Sequence, residues 1–171
     1  MPDNRSRVKN ARVLVDTARC PRFDFSLWLL AFSLFFMVRF SHLHRVSYAE
    51  CTLGNHIYYS RYLDLLEIAR GEFFRSLGVS FLRFQEQGTI FPVIECQIRY
   101  RTPARYDDVL KIEVWPVLVE RVRLNFGYRI VNEAGVAVLE AETHHVCTGL
   151  DEKPKRLPEE LRERLQSHVE A

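Results

Sequence analysis

Thr52, Asn55 and His56 stand together in the segment Thr52-Leu-Gly-Asn-His56, and Tyr58, Tyr59 and Ser60 follow at once. Histidine is the side chain whose ordinary pKa lets it take up and return a proton near neutrality. An amide such as that of Asn55 can hold a carbonyl oxygen or a water, and a hydroxyl such as that of Thr52 can orient water. Thr52 has no useful basicity of its own and needs a base beside it. These residue types suit the attack of water on a polarised carbonyl, with His56 either as proton acceptor or as a loop histidine exposed to solvent. Such chemistry also needs donors for an oxygen that becomes an oxyanion. The first turn of a helix supplies them, because its backbone N–H groups lack intrahelical partners and carry a partial positive charge. A helix beginning at Tyr59 makes the N–H groups of Tyr59 and Ser60 the candidates.

Other residues compete for the acid–base role. Glu50 lies two residues before Thr52 and shares its face in an extended segment, as a reactive carboxylate or as a structural residue of the loop. Glu67, within the helix, is either a tuned acid or the partner of Arg70 in an intrahelical ion pair. Cys51 has no histidine at a fixed offset to activate it. On a strand His145 and Cys147 share a face while His144 points away, which argues against zinc; no metal and no cofactor is expected.

The elements that must position these groups follow from periodicity. Tyr62, Leu65, Leu66, Ala69, Phe73 and Leu77 recur at helical spacing and form one apolar stripe, ended by Gly78. Residues 39–48 alternate as a first strand, and residues 79–88 read as an irregular turn carrying Phe81, Leu82 and Phe84. Alternation over 93–101, 109–119, 121–131 and 136–148 gives four more strands, with Pro116 marking a bulge and Asn132-Glu-Ala-Gly135 a hairpin turn. Pro158 at a first helical position, with Leu161, Leu165 and Val169 behind it, starts a short C-terminal helix.

The pattern Tyr48-Ala-Glu, then Tyr58-Tyr59, Tyr62-Leu63 and Glu67-x-Ala-Arg70, resembles the start of the central helix in hotdog-fold acyl-CoA thioesterases of the 4-hydroxybenzoyl-CoA thioesterase type. The phrases Phe91-Pro-Val-Ile-Glu95, Tyr100-Arg-Thr-Pro-Ala104, Asp107-Asp108 and Lys153-Pro-Lys-Arg-Leu-Pro158 extend the resemblance from about Arg39 to the last helix. It implies an α+β hotdog fold, a curved antiparallel sheet wrapped around one long central helix. It also implies an acyl-CoA or acyl-carrier-protein thioester as substrate. Tyr58, Tyr59 and Tyr62 would line the acyl pocket and the subunit contact, and Lys153, Lys155 and Arg156 would meet the phosphates of coenzyme A or form a solvated connector between the last strand and helix. One position departs from the pattern: where the family usually has the aspartate credited with hydrolysis, this chain has Thr52. Enediyne thioesterases of this fold are similar in lacking that acid.

A chain of 171 residues suits one domain with a proper core. The net charge of +2 gives a nucleic-acid partner no support. Four cysteines, widely spaced and without a Cys-x-x-Cys pair, indicate reduced thiols and a cytoplasmic setting. Residues 1–36 precede the expected domain at 37–171. They contain most of the uncharged run Phe25–Val38, a membrane anchor if genuine or upstream sequence translated from a misplaced start before Met37. A single such sheet leaves an open edge, which predicts a homodimer or homotetramer with sites between subunits. The expected activity is thioester hydrolysis by helix-terminal donors and a non-standard base. The alternative is a hotdog domain that binds acyl thioesters or a protein partner without turning them over.

Overall fold

The computed structural model describes residues 39–169, so the expectations for residues 1–36 lie outside it. In chain order the elements are β1 (Phe40–Arg45), a 3-10 turn (Tyr48–Glu50), α1 (Arg61–Ser76), α2 (Phe81–Glu86), β2 (Val93–Tyr100), β3 (Val109–Val119), β4 (Arg123–Asn132), β5 (Ala137–Val146) and α3 (Glu159–Gln166). The strands form one five-stranded antiparallel sheet in the order β1-β3-β4-β5-β2. This is the hotdog architecture, with α1 as the helix the sheet wraps. β2 pairs with β5 and forms one edge, an order that alternation alone does not dictate.

Side chains alternate along β3 and β4, so Leu110, Ile112, Val114, Leu124, Phe126, Tyr128 and Ile130 turn inward and are buried. Against them α1 buries Tyr62, Leu65, Leu66, Ala69, Phe73 and Phe74. Full burial of each such aliphatic or aromatic side chain is worth about 1.5–3 kcal/mol before the entropy of ordering it is subtracted. Phe74 takes the place in the stripe that periodicity gave to Leu77, which lies half-buried at the helix end. Gly78 then adopts φ 68° and donates to the Arg75 carbonyl at 2.9 Å, while the Val79 N–H reaches back to Phe74 at 2.9 Å. Only glycine enters that left-handed position without strain.

Several boundaries differ from expectation. The segment expected as an irregular turn contains α2, because Ser80 Oγ accepts from the Arg83 N–H at 3.5 Å and Phe81 and Phe84 pack around Phe91. α1 begins at Arg61 rather than Tyr59, and Pro158 caps α3 from outside rather than opening it. The bulge expected near Pro116 is present, as a register shift between Pro116 and Leu118.

On the outer face, Trp115 of β3 lies over Gly127 of β4, and a Cβ at Gly127 would stand 2.6 Å from the indole. A strand position ordinarily gains from alanine over glycine. Here Gly127→Ala is expected to lose about 1–3 kcal/mol in denaturant unfolding, by overpacking, and Trp115→Leu in the same chain to recover most of it.

Candidate functional site

Between the 3-10 turn and α1 the chain makes a narrow loop. Cys51 and Ile57 pair across its neck, the Thr52 N–H donates to the His56 carbonyl at 2.9 Å, and the Asn55 N–H donates to the Thr52 carbonyl at 3.0 Å. Asn55 closes the turn with φ 52°, a left-handed conformation that asparagine tolerates. The result sets the His56 ring against the Thr52 hydroxyl, Nδ1 at 3.3 Å and Nε2 at 3.5 Å from Oγ1. Thr52 Oγ1 also accepts from the Gly54 N–H at 3.3 Å. A Cβ at Gly54 would stand 2.9 Å from the imidazole, so the close approach of ring to turn requires glycine there. A hydroxyl that lacks basicity thus has an imidazole beside it.

Glu50 is committed to the loop's foundation. Its carboxylate accepts from the Ser47 N–H and hydroxyl at 2.6 and 2.8 Å and meets His44 Nε2 at 2.9 Å. Burial alone would raise its pKa, but these donors outweigh it and hold the carboxyl below its ordinary value. Asn55 also serves the framework. Its Oδ1 accepts from the Tyr106 N–H at 3.3 Å, and it does not line the cleft. Burial, with Glu50 and Asp108 nearby, pushes the Cys51 thiol up and keeps it protonated.

Thr52 and His56 line a cleft of about 530 Å³ together with Ile57, Tyr58, Tyr59, Tyr62, Tyr100 and the segment 101–103. The cleft meets the start of α1. Tyr58 uses its N–H on the Glu50 carbonyl at 2.9 Å, and Arg61 donates to Tyr58 at 2.9 Å. Among the described residues the N–H groups of Tyr59 and Ser60 have no acceptor within hydrogen-bonding range. Ser60 occupies the cap position in helical conformation without capping through its side chain. Tyr100 donates its hydroxyl to the Tyr59 carbonyl at 2.9 Å. That carbonyl shares a planar peptide with the Ser60 N–H, so Tyr100 fixes the donor's direction and polarises it. Tyr62 is a core residue at the cleft floor. Its hydroxyl accepts from the Ala104 N–H at 3.3 Å, and burial pushes its pKa up. Tyr100 escaped the sequence reading as a site residue, and its signal was the phrase Tyr100-Arg-Thr-Pro, which the resemblance had already marked.

Other expected site residues lie elsewhere. Glu67 is exposed on α1 and lines a second cavity of about 550 Å³, which shares no residue with the first. The ion pair expected between Glu67 and Arg70 does not form. Arg70 instead turns inward, donating through Nη1 to the Tyr128 hydroxyl at 3.1 Å and lying 3.3 Å from His145 Nε2. Lys155 spends its ammonium on Thr89 Oγ1 at 2.7 Å and on the carbonyls of Gln87 and Gly88, capping the end of α2. Lys153 pairs with Asp151 at 3.6 Å, and Arg156 lines a third hollow beside Arg121. All three basic residues follow the Val146 end of β5, whereas Tyr100 pairs with Leu139 at its other end, about 23 Å away along the strand.

His144 and His145 point to opposite faces, as strand parity requires. His144 lies outside between Glu95 and Glu142, at 3.1 and 2.8 Å. Among the described residues no cluster of three metal-ligating side chains occurs, and no helix is long and apolar enough to cross a membrane. His145 is 1% exposed. Its Nδ1–H donates to the Phe91 carbonyl at 3.2 Å, which leaves Nε2 to accept from Thr143 Oγ1 at 2.9 Å. Burial, then the Arg70 charge, lowers its pKa from 6.5 to about 4. On acidification the unfolded chain therefore takes up this proton first. The stabilisation is complete above pH 6.5 and is lost between pH 6.5 and about 4. The loss from this group is expected to be about 3 kcal/mol, seen in denaturant unfolding across that window, and largely absent in His145→Gln.

Comparison with known proteins agrees with the geometry. The profile of the thioesterase-like superfamily matches residues 46–165, and the chain belongs to that family. It is 32% identical over 118 residues to the acyl-CoA thioester hydrolase YbgC of Escherichia coli, covering 68% of this chain and 88% of that one. Among solved structures, a hypothetical protein from Thermus thermophilus is 30% identical, with TM-score 0.70 over 75% of this chain and 98% of its own. A DHNA-CoA thioesterase from Staphylococcus aureus is 27% identical, with TM-score 0.71 over 74% and 88%.

Proposed function

We propose that the protein hydrolyses an acyl-CoA thioester to the free acid and coenzyme A at the cleft between the Thr52–His56 loop and the start of α1. The observation that carries this reading is the start of α1, where the N–H groups of Tyr59 and Ser60 have no acceptor among the described residues and Tyr59 borders the cleft that holds the hydroxyl–imidazole pair. Those N–H groups receive the carbonyl oxygen and hold it as charge develops on it. His56 takes the proton of a water that Thr52 orients; the water oxygen bonds to the carbonyl carbon, the C–S bond breaks, and the sulfur leaves as the thiol once protonated. His56 then fills the place that a carboxylate has in the family pattern. The relatives named as acyl-CoA thioesterases support the reaction class. Acyl-carrier-protein thioesters have the same reacting group and are equally accommodated by this chemistry.

The site is completed by a second copy of the chain. β2 is an eight-residue edge strand, exposed on both faces, with Val93, Ile94 and Tyr100 each about half exposed. Its unpaired backbone groups are a template for antiparallel pairing with another β2. That pairing places the Val93 end of one copy beside the Tyr100 end of the other, so a basic cluster too distant within one subunit approaches the cleft across the dimer. A homodimer follows from this reading, and size-exclusion with light scattering at micromolar concentration is expected to give twice the chain mass.

His56→Ala is expected to lower kcat for thiol release from a panel of acyl-CoAs by about 10²- to 10⁴-fold. Added imidazole should restore part of it, because the vacated space opens on the cleft. No thiol release from any acyl-CoA by the wild type would instead indicate a binding domain. Tyr100→Phe, which removes only the hydroxyl that aims the Ser60 peptide, is expected to cost about 2- to 10-fold in kcat with KM little changed, the worth of one neutral hydrogen bond.

A further inference from the structure

The loop that carries Thr52 and His56 has two legs, and they are held by different means. The far leg is tied to the segment before β3: the Ile57 N–H donates to the Ala104 carbonyl at 3.0 Å, and Asn55 Oδ1 accepts from the Tyr106 N–H at 3.3 Å. The near leg, residues 47–51, is a single 3-10 turn in which the Glu50 N–H donates to the Ser47 carbonyl and the Cys51 N–H to the Tyr48 carbonyl, both at 3.2 Å. Hydrogen bonds of that pattern are poorly aligned, so a turn this short does not hold itself. Three donors gather on the Glu50 carboxylate to hold it. Two of them, the Ser47 N–H at 2.6 Å and the Ser47 hydroxyl at 2.8 Å, belong to the turn and move with it. The third is His44 Nε2, at 2.9 Å from one carboxylate oxygen and 3.2 Å from the other. Among the described residues His44 is the only side chain of the sheet that hydrogen-bonds to this leg.

His44 is itself fixed. It stands on β1 opposite the fully buried Leu110 of β3, and just past it the Val46 N–H donates to the Asp108 carbonyl at 2.9 Å. The His44 and Glu50 side chains are 20% and 17% exposed, so their contact is screened less than a surface pair would be. Glu50 passes the constraint on. Its carbonyl accepts from the Tyr58 N–H at 2.9 Å, and the Tyr58 carbonyl accepts from the N–H of Arg61, the first residue of α1, at 2.9 Å.

We propose that His44 is a positioning residue of the cleft: by holding Glu50 to β1 it fixes the Thr52–His56 pair and the peptide groups at the entry of α1. The order of contacts rules out a nucleophilic role for Ser47. The carboxylate stands between that hydroxyl and the imidazole, so no base meets the hydroxyl to activate it. None of the three residues lines the cleft. A carboxylate only accepts, so His44 Nε2 is the donor, and the imidazole makes this contact whether neutral or protonated.

The inference rests on the proposed hydrolysis for its kinetic test alone, and amide exchange tests it separately. In the full-length protein His44→Ala is expected to lower kcat for thiol release about 3- to 30-fold with KM within about twofold, the mark of displaced reacting groups rather than of lost binding. His44→Gln, whose amide can donate to the same carboxylate, should stay within about threefold of the wild type. In a Glu50→Ala chain, adding His44→Ala should cost less than about twofold more, because His44 acts through that carboxylate. Hydrogen exchange in His44→Ala should quicken at least about tenfold at the Cys51, Thr52 and Tyr58 amides, the loss of one bond to a charged group, and stay unchanged in β4. Unchanged kcat in His44→Ala, a loss in His44→Gln as large as in His44→Ala, an undiminished further loss in the Glu50→Ala chain, or unchanged exchange at those amides would each overturn the proposal. The exchange measurement decides the matter even if Glu50→Ala does not fold. A wild type that releases no thiol from any acyl-CoA, with exchange quickened in His44→Ala, would remove the proposed hydrolysis and leave the clamp standing.

Discussion

Everything in the site depends on α1 being unable to slide. Tyr62, Leu65, Leu66, Ala69, Phe73 and Phe74 lock one face of the helix onto the inward side chains of β3 and β4, a contact of the kind that dominates the free energy of a small domain. A helix so pinned holds its first peptide groups at one height above the sheet. Those groups cannot be capped by the helix itself, and Ser60 does not cap them through its side chain. The N–H groups of Tyr59 and Ser60 are thus left without an acceptor among the described residues, at a cost that a passing water can offset.

The loop before the helix is built with the same economy of groups. Glu50 anchors the 3-10 turn through Ser47 and His44, Asn55 ties the tip to Tyr106, and the missing Cβ of Gly54 admits the imidazole. With those residues spent on architecture, Thr52 and His56 are left facing the cleft together. A polar network of Arg70, Tyr128, Thr143 and His145 reaches from half-buried Arg70 into the core with every member hydrogen-bonded.

Much of this could be read from the chain. The stripe on α1, the five strands, the bulge at Pro116 and the stop at Gly78 are local signals, and local periodicity carries them well. Strand order was not legible, because the crossing of β2 to the edge beside β5 is decided by which face each strand buries in three dimensions. That Thr52, His56 and Tyr59 border one cleft was legible, because they are near neighbours in sequence. Its long-range members were not. Tyr100 reaches Tyr59 across 41 positions, and Arg70 abandons the adjacent Glu67 for Tyr128 across 58. The helix rule that predicts an ion pair at that spacing is worth only about 0.2–0.5 kcal/mol, less than a buried network offers. That Lys155 meets Thr89 and the carbonyls of Gln87 and Gly88 at the end of α2, four strands earlier in the chain, was likewise not legible.

The most direct measurement is a crystal structure of the protein with an acyl-CoA analogue whose thioester sulfur is replaced by methylene, so that the carbonyl survives. The account predicts the carbonyl oxygen within about 3 Å of the Tyr59 or Ser60 nitrogen, with His56 on the open face of the carbonyl carbon. A carbonyl bound away from the start of α1, with those two N–H groups still facing solvent, would contradict it.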